Sequence, residues 1–297
     1  MYPADRREPA MASVDVLDST MTYLDAGTGT PFVFLHGNPT SSYLWRKVLP
    51  RVGPPARLLA PDLIGMGGSG KPDVAYRFGD HARYLDAWFD ALDLTGVVLV
   101  GHDWGGALAF DWARRHPHRV RGVAFLEAIV KPMTWAEFPD GARELFRRMR
   151  TSGEGEAMVL EQNLFLRDLL PRTVASGLDD HERAAYLRPY PTPESRRPLL
   201  AWPRAMPLDG EPADVVDRIE AYDAWLGSTP DVPKLLLTFD SHPTLLVGPA
   251  LVEWCRAHVA GLEVEHCGAA AHHAPEDRPE AIASALSAWA DRHGLRG

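Results

Sequence analysis

Two cysteines in 297 residues, Cys255 and Cys267, are too few to staple a fold, and neither lies in a metal-ligand spacing. A reduced, cytoplasmic setting is the expectation, with a bond between the two as the lesser alternative. Positive charge is also short: 31 Lys and Arg stand against 40 Asp and Glu, a net charge of −9. No basic surplus exists to neutralise a phosphate backbone, which argues against a nucleic-acid partner. Basic clusters such as Arg143 to Arg150 read as a solvated helix face. Long apolar runs are missing too, none approaching the ~20 residues needed to cross a bilayer, so no membrane partner is expected. The first ten residues, MYPADRREPA, are polar and proline-bearing, unlike a secretory signal, and are expected to fray. No internal repeat or low-complexity segment is visible.

What is present is an ordinary globular composition, 45% hydrophobic and 24% charged, on a chain long enough for one large α/β domain with an insertion. Val14–Leu17 and Met21–Asp25, split by Asp18-Ser19-Thr20, read as an opening hairpin. Short, fully apolar strands follow at Phe32–Leu35, Leu58–Ala60, Val97–Val100 and Val123–Leu126, with helices expected at His81–Leu92 and Ala107–Arg115. Continuous apolar strands alternating with helices predict a mostly parallel sheet covered on both faces. From about Lys131 to Pro212 the alternation stops, and a helical, proline-punctuated stretch rich in aromatics takes over. Strands resume at Lys234–Phe239 and Leu262–His266, and a helix closes the chain from Pro279. The expected organisation is an α/β core (residues 1–130 and 213–297) with a helical cap inserted at 131–212.

Chemistry concentrates at Gly101-His102-Asp103-Trp104-Gly105, directly after the Val97–Val100 strand. Small residues two either side of a central polar one, between a strand and a helix, form the nucleophile elbow of an α/β-hydrolase fold. The usual central residue is Ser; here it is Asp103. A carboxylate suits displacement at a saturated or strained carbon, leaving an ester that water must cleave. Reactive groups then occur at strand ends in the order Asp103, Glu127, His272, the nucleophile, acid and base of a triad. Because a carboxylate is ionised at neutral pH, His272 is needed to activate water rather than the nucleophile. No cofactor is called for, and no His, Cys and carboxylate cluster has metal-ligand spacing.

The sequence resembles the haloalkane dehalogenases. The matching segments are His36-Gly37-Asn38-Pro39-Thr40-Ser41-Ser42-Tyr43-Leu44-Trp45-Arg46, Pro61-Asp62-Leu63-Ile64-Gly65-Met66-Gly67 and Gly101–Gly105. Leu126-Glu127-Ala128, Arg197-Pro198 with Ala201-Trp202-Pro203-Arg204, and His272 with Glu276-Asp277 continue it, so the likeness runs from about residue 14 to the C-terminus. It implies a small apolar halogenated substrate, with halide and water as the other partners, on a monomer or weak homo-oligomer. It implies that Asn38 and Trp104 donate to the leaving halide, and that their backbone N–H groups form the oxyanion hole. Phe138, Phe165, Trp202, Pro203 and Leu245 would line the substrate pocket. Of the two acid placements found in the family, one matches Glu127 and the other Asp240; the surroundings of Glu127 also match and favour it. The spacing to Glu276-Asp277 selects His272 over His273 and His266, leaving His273 as a partly exposed neighbour. His36 and His102 are expected to hold loop geometry, and His242 receives no role. Asn163, Glu161 and Asp168 give the cap polarity without a readable direction.

Two other enzyme classes share parts of this pattern. Epoxide hydrolases use an Asp nucleophile and two cap tyrosines, and Tyr186, Tyr190 and Tyr222 are present, although that family usually has an aromatic residue where Asn38 stands. A coelenterazine-using luciferase, a monooxygenase, is similar to the dehalogenases and shares the Thr40–Arg46 stretch and the triad types. A catalytically dead binding protein would need a broken triad, and none of its groups is missing.

Overall fold

The computed structural model describes residues 11–296, so the expected fraying of residues 1–10 lies outside the described residues. The strands are β1 (Met11–Val16), β2 (Ser19–Thr28), β3 (Pro31–Leu35), β4 (Ala56–Pro61), β5 (Val97–His102), β6 (Val120–Leu126), β7 (Lys234–Thr238) and β8 (Leu262–His266). Helices α1 (Phe78–Ala91) and α2 (Trp104–Arg115) flank β5 in the chain. Then α3 (Asp140–Arg150), α4 (Leu170–Arg172), α5 (Asp180–Leu187), α6 (Arg197–Ala205) and α7 (Ala213–Ser228) lie between β6 and β7. After β7 come α8 (Pro249–His258), α9 (Ala274–Asp277) and α10 (Pro279–Arg292).

All eight strands form one sheet in the order β1-β2-β4-β3-β5-β6-β7-β8. β1 and β2 are antiparallel, β2 is antiparallel to β4, and β4 through β8 run parallel. The apolar runs explain this layout. Val33, Leu35, Leu99, Val123, Phe125 and Leu236 pack on one face with Trp88 of α1, Trp112 of α2 and Tyr222 of α7. Their chain neighbours Phe34, Val98, Val100, Leu126 and Leu235 pack on the other, with Trp45 and with Leu286 and Trp289 of α10. Adjacent side chains of a strand point to opposite faces, so a strand buried on both sides must be apolar throughout.

Two local expectations need correction. Ser19 and Thr20 are paired in the ladder with Val16 and Asp15, so the hairpin connection is only Leu17-Asp18, with Leu17 at φ 52°. The helix after the elbow begins at Trp104 rather than Ala107, because the turn itself supplies its first residues. Cys255 and Cys267 are both buried and free. Among the described residues no helix is long and apolar enough to cross a membrane.

From β3 the chain moves to β4 on one side and returns at β5 on the other. The carboxyl ends of β3 and β5 therefore diverge at a switch point, where open α/β sheets place their sites. The excursion between β6 and β7 is helical, including two π-helical turns at Glu156–Glu161 and Phe165–Leu169. Its ends are tied: the Met133 N–H donates to the Pro207 carbonyl at 3.0 Å, and the Asp209 N–H to the Met133 carbonyl at 2.9 Å.

Candidate active site

Asp103 caps the N-terminus of α2 at φ 53° and ψ −125°, a backbone region that non-glycine residues rarely occupy. Such a conformation costs on the order of 1–3 kcal/mol and persists only where the surroundings over-determine it. Here they do. A Cβ on Gly105 would come 2.2 Å from the Leu35 carbonyl oxygen, and one on Gly37 would come 2.3 Å from Asp103 Oδ2. Bare backbone at both positions lets the β3 and β5 loops close on each other. The Asn38 backbone N–H then donates to Asp103 Oδ2 at 2.9 Å. Burial pushes the Asp103 carboxyl up to about 6, against the opposing pull of His272 and of the Asn38 and Trp104 backbone N–H groups.

His272 stands over this carboxylate with Nε2 4.0 Å from Asp103 Oδ1. Its Nδ1 is 2.9 Å from Glu127 Oε2. Glu127, at the end of β6, is buried and lies at φ 50°. Its oxygens also accept the N–H groups of Leu246 at 2.7 Å and Val247 at 3.2 Å, two backbone donors that no side-chain pattern reveals. Burial works against the His272 imidazolium, but the hydrogen bond and charge of Glu127, with the charge of Asp103, outweigh it and raise its pKa. The rival acid, Asp240, is exposed and pairs with His266 at 3.1 Å instead.

The neighbouring imidazoles are biased the other way. His102 and His273 are buried with pKa values well below the ordinary one, chiefly through desolvation and then through His272. His273 is thus not the partly exposed neighbour expected: its Nδ1 is 2.7 Å from Thr173 Oγ1, and its N–H donates to the Thr173 carbonyl at 2.9 Å. His102 Nε2 donates to the His272 carbonyl at 2.8 Å. His36 donates from Nδ1 to the Gly37 carbonyl and accepts the Leu63 N–H at Nε2, both at 2.9 Å, which fixes a neutral tautomer. His242 sits 2.8 Å from Thr244 Oγ1, which in turn accepts the His272 N–H at 3.3 Å.

Asn38 Nδ2 donates to the Leu199 carbonyl at 3.3 Å. That carbonyl is free because the residue four positions on is Pro203, inside α6, which has no N–H to return to it. The Trp104 indole N–H meets no acceptor among the described residues. Its ring stacks on Trp202 at 4.7 Å, and Trp202 stacks on His81 at 4.2 Å while donating to Met66 Sδ at 3.5 Å. Asn38 and Trp104 are thus both positioned from α6. Desolvation takes His81 down to about 3, so the column ends in a neutral ring.

Phe138, Phe165 and Trp202 join the same buried apolar cluster as Trp104, and Pro203, next to Trp202 in α6, is also buried. Leu245 stands apart, lining a separate cleft of about 250 Å³ with Phe239, His242 and Val247. Of the polar cap residues Asn163 is buried, while Glu161 and Asp168 face outward. Tyr186, Tyr190 and Tyr222 make no hydrogen bond to Asp103. Tyr186 donates to Glu276 at 2.5 Å, Tyr222 to the Ile129 carbonyl at 2.5 Å, and the Tyr190 ring lies under Lys71 Nζ at 5.3 Å.

Known proteins resemble this chain in sequence and in fold. The α/β-hydrolase fold family matches residues 30–213. A haloalkane dehalogenase of Mesorhizobium japonicum is 47% identical over 284 residues, covering 95% of this chain and 91% of that protein. One from Sphingobium indicum is 44% identical over 285 residues, covering 94% of each. The crystal structure of the haloalkane dehalogenase DatA from Agrobacterium tumefaciens C58 superposes with a TM-score of 0.91 at 43% identity, covering 96% of this chain and 97% of that one. The chain belongs to the haloalkane dehalogenase family of the α/β-hydrolase fold.

Proposed function

We propose that this protein hydrolyses carbon–halogen bonds in small apolar haloalkanes, giving alcohol, halide and a proton. In the first step an Asp103 oxygen attacks the halogen-bearing carbon; the new C–O bond forms as the C–halogen bond breaks and the halide leaves with its electron pair. The side-chain N–H of Asn38 and the indole N–H of Trp104 receive the halide, donors that strengthen as charge develops. In the second step His272 Nε2 takes a proton from water, and the resulting hydroxide oxygen attacks the ester carbonyl. The acyl C–O bond breaks, the alcohol departs with the proton that His272 returns, and the re-formed Asp103 carboxyl releases the other water proton to solvent. Glu127 holds the imidazole and balances its charge, and the Asn38 and Trp104 backbone N–H groups serve the carbonyl oxygen. Residues 131–212 act as the cap over a core of residues 1–130 and 213–297, and Phe138, Phe165, Trp202 and Pro203 form the substrate pocket, with Leu245 left to its separate cleft. The enzyme works in the cytoplasm without a cofactor.

The observation that carries this reading is the separation of His272 Nε2 from Asp103 Oδ1, 4.0 Å, with Nδ1 engaged by Glu127. That is beyond a direct hydrogen bond, yet a water bonded to both fits off the line between them. The engagement of Tyr186 and Tyr222 elsewhere leaves the epoxide reading without support.

The test uses His272→Phe with a 1-bromoalkane. About one equivalent of bromide is expected and then a stall, with the protein heavier by one alkyl group mapped to Asp103. Wild type turned over once in ¹⁸O-water should carry label in Asp103. Label only in the alcohol would make Asp103 a general base and end the nucleophile reading. Asn38→Ala and Trp104→Phe should each slow the first step by about 10²-fold, as for loss of an oxyanion donor, and weaken halide binding. Light emission with coelenterazine would point instead to the oxidative relative, and turnover lost to EDTA and restored by a metal would overturn the cofactor-free reading.

A further inference from the structure

The segment after His272 carries a carboxylate that the reaction above does not use. Asp277 ends the short α9, five residues beyond His272. Its Oδ2 accepts the Ala271 N–H at 2.9 Å and the Ala175 N–H at 3.0 Å, and its Oδ1 accepts the Ser176 N–H at 2.8 Å. Ala271 immediately precedes His272, whereas Ala175 and Ser176 belong to the helical excursion between β6 and β7. On the other side of His272, the His273 N–H donates to the Thr173 carbonyl at 2.9 Å. The loop bearing the base is therefore hung from residues 173–176 at both of its flanking peptides. On the core side His272 is held through the Glu127 bond to its ring, the His102 bond to its carbonyl and the longer contact of its N–H to Thr244.

We propose that Asp277 is a positioning residue: by joining the Ala175 and Ser176 N–H groups to that of Ala271, it makes the seating of the cap set the place of the His272 imidazole. Bonds from backbone N–H to a carboxylate are about twice as strong as neutral ones, so Asp277 stiffens the link. The consequence is specific to one half-reaction. Alkylation needs only the Asp103 carboxylate and the halide donors, none of which Asp277 touches. Hydrolysis needs the His272 Nε2 to address a water at the Asp103 ester. A 1 Å misplacement of a catalytic group costs on the order of 10²-fold, so a shift of about half an ångström slows hydrolysis by roughly tenfold.

The inference rests on the reading of His272 as the base, and the experiment separates the two. Rapid-quench single turnovers with a 1-bromoalkane measure bromide release and alkyl-enzyme decay in wild type, Asp277→Asn, Asp277→Ala and His272→Phe. Asp277→Asn keeps the side-chain volume and one acceptor oxygen, so it decides the matter if the alanine variant does not fold. Expected are alkylation within about twofold of wild type, ester decay slowed by about tenfold in Asp277→Asn and more in Asp277→Ala, and a burst amplitude rising towards one equivalent. A purely structural role would lower Tm and leave the ratio of the two rates unchanged. Equal slowing of both steps, or no change in either, overturns the positioning role while His272→Phe still traps the ester. Failure of His272→Phe to trap it overturns the underlying mechanism instead.

Discussion

Glu127 and Asp240 are both acids at strand ends, yet their surroundings differ by what each oxygen meets. Glu127 is buried and accepts two backbone N–H groups besides His272, whereas Asp240 is exposed beside His266. Glu127→Gln should therefore lower kcat by on the order of 10³-fold or more, because the imidazolium loses its counter-charge. Asp240→Asn should change it by less than about twofold, since surface pairs contribute little. The pH dependence follows in sign. A base works neutral, so kcat falls as pH drops through the His272 pKa, which Glu127 holds up. Loss of Glu127 should move that acid limb to lower pH. Alkylation needs ionised Asp103, so kcat/KM should fall below about pH 6. A limb in kcat unmoved by Glu127→Gln, or the reverse ranking of the two acids, would take Glu127 out of the triad. The choice of His272 came from the family resemblance, through its spacing to Glu276-Asp277; the Leu246 and Val247 clamps were not legible, because a backbone donor leaves no trace in residue type.

Elements show where polar residue types mislead. Asp18-Ser19-Thr20 reads as a loop, but the ladder extends through Ser19 and leaves a two-residue connection with a positive φ at its first position. That geometry favours glycine, and Leu17 occupies it while exposing its side chain. Leu17→Gly should raise stability by about 0.5–1 kcal/mol, read as a higher urea midpoint at unchanged activity, because relief of left-handed strain exceeds the added chain entropy. A lower midpoint would mean that Leu17 packing matters more than its backbone. The apolar strands were legible because burial on both faces leaves no alternative composition. The π-helical turns at Glu156–Glu161 and Phe165–Leu169 were not, since their residue types differ little from those of an α-helix.

Across the whole molecule, the seam between the excursion and the sheet is held by charge as well as by rings. Glu276 is fully buried and meets Arg46 at 2.5 Å, Lys47 at 2.8 Å and the Tyr186 hydroxyl at 2.5 Å. Arg46 also reaches Glu182 of α5 at 2.6 Å. Arg46→Ala should cost about 3 kcal/mol, the low end for breaking a buried pair, because Lys47 and Tyr186 still reach the carboxylate. Thermal unfolding measures it, and a loss below about 1 kcal/mol would show that Lys47 alone suffices.

The chain alone determined what residue type can determine: which strands are dry on both faces, that the elbow bears a carboxylate rather than a hydroxyl, and that Glu127 and His272 follow it in the sequence. These follow from side-chain chemistry and spacing along the backbone. Only the tertiary structure decided which of two acids reaches His272, which of three nearby histidines stays protonatable, and that Pro203 releases the Leu199 carbonyl to Asn38. Each of those depends on backbone groups and desolvation brought together from distant positions, and neither is a property of any one residue's identity.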